Sequence, residues 1–98
     1  MPPICRAGKD INTGHASFPP DGVAVGSPNV FSNSAPTHRV GDSEVGHASP
    51  SPSGFHVGSC AAGSPNVYAN SKAVARIGDP VSCGECLATG SGNVIVNS

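Results

Sequence analysis

Apolar positions in this chain of 98 residues occur as short runs set between Gly, Ser, Pro and Asn, not at the spacing of an amphipathic helix. The clearest runs are Val30-Phe31 in NVFSN, Val67-Tyr68 in NVYAN and Val94-Ile95 in NVIVN. β-Branched and aromatic residues flanked by turn formers predict short strands. Asn33-Ser34 and Asn70-Ser71 supply turn chemistry after the first two runs, so each predicts a β-hairpin. Pro28 and Pro65 stand just ahead of the strands, where a missing N–H is tolerated. The one helix-like patch, 71–77, is too short to stand alone. Core packing is the expectation for at least half of Val30, Phe31, Val67, Tyr68, Val94 and Ile95.

The runs belong to a longer repeat. GSPNVFSN at 26–33 returns thirty-seven residues later as GSPNVYAN, and GSGNVIVN closes the chain at 90–97. HRVGD at 38–42 and ARIGD at 75–79 keep the same offset, and CRAGKD at 5–10 is a stretched third copy. The spacing predicts three units, approximately 5–37, 38–74 and 75–98, within a single domain spanning 1–98. Two-stranded pieces are marginal alone, whereas three around one axis can share a core. The expected fold is all-β: three short β-hairpin repeats around a pseudo-threefold axis.

Composition sharpens this picture. The chain has no Trp, one Tyr and three Phe, so a domain of this size needs a staple such as a metal, a disulfide or a partner. Net charge is −1 with no basic cluster, which argues against a nucleic-acid partner. No apolar run approaches a membrane helix, and Met1-Pro2-Pro3-Ile4-Cys5 does not open a secretory signal. Without such a signal, the four cysteines point to thiols or a metal more than to disulfides.

Counting from the Asp of each unit locates the chemistry. His15 and His47 lie five residues after Asp10 and Asp42, and Cys83 lies four after Asp79. Three such side chains on one axis supply three of the four donors of a tetrahedral zinc, and His56 in the longest loop is the candidate fourth. Cys86, in the C-x-x-C at 83–86, competes with Cys83 or His56 for a place. His38 aligns with Ala75 and receives no ligand role. Asp10, Asp42 and Asp79 recur as scaffold elements, which turn capping explains better than acid–base work. No G-x-S-x-G elbow or phosphate loop is present, so no catalytic residue is assigned. Two rival functions remain: a small zinc-dependent hydrolase with an open metal position, or a redox protein using Cys83 and Cys86.

The repeated G-S-P-N-V phrase followed by R-[VI]-G-D, with interspersed His and Cys, resembles the PAAR-repeat proteins. The naming motif is degenerate here, as Pro36-Thr37-His38-Arg39 and Ala73-Val74-Ala75-Arg76. The resemblance implies that the three hairpin repeats form a small cone with pseudo-threefold symmetry, a non-enzymatic, structural tip that caps a trimeric β-helical spike, one tip per trimer, and sharpens it for membrane puncture. Such tips serve contractile phage tails and type VI secretion systems. It also implies one structural zinc near the apex, held by His15, His47, His56 and Cys83. Transient contact with a target membrane follows from that role. The expected location is the virion tail tip, or the bacterial cytoplasm before export with the spike. The repeats fill the chain and leave no effector extension, which favours a phage tail.

Overall fold

The computed structural model describes residues 2–14, 19–48 and 55–96. Two hairpins repeat one design. Strand β1 (Phe31–Ser32) pairs antiparallel with β2 (Ala35–Pro36), and β5 (Tyr68–Ala69) with β6 (Lys72–Ala73). Their two-residue loops, Asn33-Ser34 and Asn70-Ser71, hold φ between 52° and 65°. Positive φ at both central residues is the primed turn whose twist suits a tight hairpin, and Asn tolerates it best. Between them in sequence, β3 (His47–Ala48) pairs with β4 (Phe55–His56), register His47↔His56.

The third equivalent hairpin is assembled from the two ends of the chain. Ile95 bridges Pro3, and Val96 N–H donates to the Pro2 carbonyl, matching Phe31↔Pro36 and Tyr68↔Ala73 in the other units. The three units then close on each other. His38 N–H donates to Cys5 C=O, Cys5 N–H to Ala75 C=O, and Ala75 N–H to His38 C=O, at 2.8–3.0 Å. This ring of equivalent residues, all fully buried, marks the pseudo-threefold axis. The molecule measures 39 × 23 × 23 Å, and its equal short axes suit that symmetry.

The repeated phrases are the hardware of the ring. In each G-S-x-N-V the buried Ser hydroxyl accepts from the Val N–H three residues on: Ser27–Val30, Ser64–Val67 and Ser91–Val94, at 2.8–3.0 Å. In each R-x-G-D the Asp carboxylate accepts from the Arg backbone N–H and from its guanidinium, tying a turn closed. Asp42 and its equivalents are therefore turn caps. Burial alone would raise the Asp10 carboxyl, but hydrogen bonds from Arg6 and Thr89 and the Arg6 charge hold it below the usual carboxylate range. Each guanidinium also donates to the Gly that opens a phrase: Arg39 to Gly26, Arg76 to Gly63 and, across the chain ends, Arg6 to Gly90.

Those opening glycines lie against backbone because the next residue pairs there: Ser64 N–H donates to Val74 C=O at 2.9 Å. A Cβ on Gly63 would stand 2.5 Å from that oxygen and 3.1 Å from Val40 Cγ2. Gly63→Ala is expected to destabilise the fold by about 1–3 kcal/mol, the usual cost of overpacking. A melting curve matching that of the parent chain would contradict this.

The core is thin and layered. Ile4, Ala69, Val74 and Val96 pack together between the hairpins, and Cys5, Val23, Cys60, Ala75, Val81 and Leu87 form the next cluster along the axis. Cys5 and Cys60 are free thiols donating to the carbonyls of Thr89 and Ala62. Burial pushes Cys60 up to about 12 and Cys5 higher still, so both behave as small apolar residues. The expectation that at least half of the six strand residues are core is overturned. Phe31, Tyr68 and Ile95 are 46–59% exposed and Val30 is exposed too, while only Val67 and Val94 pack partly on the core. Strand alternation explains this: Ser32, Ala69 and Val96 take the inward positions, where three hairpins crowd and small side chains dominate.

Candidate metal centre

From the ring, each unit runs through its R-x-G-D turn into a strand that travels away from the basal hairpins. In the second unit this strand pairs antiparallel with a returning one, through Glu44 N–H to Gly58 C=O and Cys60 N–H to Asp42 C=O. The His47–His56 pair continues that ladder, so it lies at the end of the molecule opposite the hairpin turns. Alternation sorts the faces of the returning strand, and Gly46, at φ 107°, breaks it on the outgoing one. His47 is buried and His56 half-buried, while Val45, Phe55 and Val57 point outward and are exposed.

At that end His47, His56, Cys83 and Glu85 bring one donor atom each within 4.8 Å of one another. His47 Nδ1–H donates to the Pro19 carbonyl at 2.7 Å, and because a carbonyl can only accept, this favours the tautomer with its lone pair on Nε2. His47 Nε2 and His56 Nε2 face each other at 2.8 Å, with their rings edge to face. Cys83 S–H donates to Glu85 Oε1 at 2.9 Å, and that oxygen lies 3.6 Å from His47 Nε2. Burial, then the hydrogen bond and charge of Glu85, push the Cys83 thiol up to about 11. A metal taken up here must therefore displace the thiol proton, and loading weakens as pH falls. Two imidazole nitrogens, a sulfur and a carboxylate oxygen are a donor set that suits a divalent, zinc-like ion.

Of the four residues expected as ligands, three converge: His47, His56 and Cys83. His15 lies outside the described residues. Cys86 is exposed and is not in the group. Glu85 escaped the repeat count because it occupies no equivalent position; its signal was an acidic residue two places after a candidate ligand. His38, excluded by the repeat, is buried in the axial ring. Its Nδ1 lies 2.6 Å from Val25 C=O and its Nε2 2.8 Å from Glu44 Oε2, with Asn12 donating to Glu44 Oε1 at 3.2 Å.

Comparison with known proteins agrees with the repeat. The family model described as the PAAR motif matches residues 49–98, a span that holds the second phrase, the second R-x-G-D, His56, Cys83 and the closing phrase. No curated protein matches the chain. With half of its length under that model and the axial architecture to go with it, the chain belongs to the PAAR-motif family.

Proposed function

We propose that this chain is the zinc-stabilised tip of the spike of a contractile injection machine, seated singly on a trimeric β-helical spike. The observation that carries the reading is the threefold repetition of the base within one chain. Phe31, Tyr68 and Ile95 are exposed at equivalent positions of three hairpins, two of them local and one built from the chain ends. Three equivalent apolar contacts on a single chain match a partner made of three chains. Their docking would also cover strand edges that otherwise invite aggregation.

At the other end, zinc held by His15, His47, His56 and Cys83 replaces a hydrophobic core that so narrow an apex cannot contain. His15 enters on its equivalence to His47 and Cys83. Thr13, two residues before it, donates to the Cys86 carbonyl at 2.8 Å, which brings that strand to the loop of Cys83. The role is structural rather than catalytic, as family membership supports, and the donors of the cluster pack against one another. A phage tail is the favoured setting, with a target membrane met in passing during puncture.

The triple variant Phe31→Ser, Tyr68→Ser, Ile95→Ser is the test. It is expected to keep its metal content and melting temperature yet fail to co-purify with the trimeric spike protein of the same genome. Undiminished co-purification would show that these hairpins are not the docking face.

A further inference from the structure

We propose that Glu85 is itself a donor to the apical metal, added as a fifth to the four ligands already assigned. This rests on the apical group being a metal site, and it adds a residue that the repeat does not assign. Glu85 is 2% exposed, and Oε1 of its carboxylate is the atom turned toward the other donors. Zinc bonds of about 2.0–2.3 Å place neighbouring donor atoms of one shell roughly 3–4 Å apart. The 3.6 Å from Glu85 Oε1 to His47 Nε2 falls within that span. The 2.9 Å to Cys83 Sγ is the length set by the thiol proton, which a metal replaces.

The side of the imidazole that Glu85 occupies separates a ligand from a supporting residue. A carboxylate that only orients a ligating His accepts from the ring nitrogen pointing away from the metal. In His47 that nitrogen, Nδ1, is already taken by the Pro19 carbonyl, and Glu85 faces Nε2, the atom that would bind. The loop is built for convergence. Gly84 has φ 115°, and the 2.7 Å bond from Val81 N–H to Glu85 C=O closes the turn, so that Cys83 and Glu85 address one point. Charge favours the same answer. One thiolate and one carboxylate neutralise a divalent ion, whereas a thiolate alone would leave a net positive charge in a buried place.

A structure of the zinc-loaded wild-type chain, paired with cobalt(II) titration of the wild type and Glu85→Gln, tests this. The proposal predicts a Glu85 oxygen within about 2.2 Å of the zinc. It also predicts that Glu85→Gln loses about tenfold or more in cobalt affinity, with shifted visible absorption bands. A carboxylate beyond about 3 Å from zinc overturns it, as does cobalt affinity unchanged within about twofold with identical bands. Should Glu85→Gln not fold, the wild-type structure alone decides. A wild-type chain that takes up no metal at all sinks the metal site and this inference together, an outcome distinct from tight binding that ignores Glu85.

Discussion

Chelating the metal from the loaded chain is expected to lower its melting temperature by roughly 20 °C or more. Structural zinc contributes on the order of 10 kcal/mol to small domains, comparable to the whole stability of a typical fold. Little else holds this apex. His47 and His56 sit on two-residue strands, and the outward residues of that hairpin, Phe55 and Val57, are exposed. Cys83→Ser should reproduce the loss without chelator, since a neutral hydroxyl replaces a thiolate at nearly the same size. Readmitting zinc should restore the wild type and not the variant. Equal melting temperatures with and without metal would contradict the stapling role.

His38→Ala is expected to cost about 3–5 kcal/mol, because it leaves the Glu44 carboxylate buried without its partner. The Val25 carbonyl can only accept, so His38 Nδ1 carries a proton there, and Nε2 lies 2.8 Å from Glu44 Oε2, both side chains being wholly enclosed. The fold itself supplies the control. In the adjoining unit Ala75 occupies the position of His38 and Val81 that of Glu44, both buried. The double variant His38→Ala, Glu44→Val should therefore recover much of what His38→Ala loses, as apolar replacement of a buried pair often does. Chemical denaturation of the two single variants and the double variant reads the coupling. Strictly additive losses would mean that the pair does not act as a unit.

The hairpins were legible in the sequence because their determinants are local. Asn-Ser turns, phrase serines and Arg–Asp caps all act within a few residues of the chain. The meeting of His47 and Cys83 was legible for a different reason: equivalent positions of a repeat must meet at its axis, whereas His56 was legible only as the His of the longest loop. What could not be read depends on three-dimensional crowding. Nothing in NVFSN says that Ser32 faces inward and Phe31 outward; that follows from how closely three hairpins approach. The third hairpin is split between residues 2–4 and GSGNVIVN at opposite ends of the chain, joined by the Pro3–Ile95 bridge and by Val96 N–H to the Pro2 carbonyl. His38 and Glu44 differ from their counterparts in other units, and such departures are invisible as a pair until the structure sets them 2.8 Å apart.

The stoichiometry of the chain on a spike decides the proposed role. Native mass spectrometry of the zinc-loaded protein mixed with a candidate trimeric spike protein of the same genome is expected to show one copy of this chain on three spike chains. A complex of three with three, or no complex at all, would contradict it.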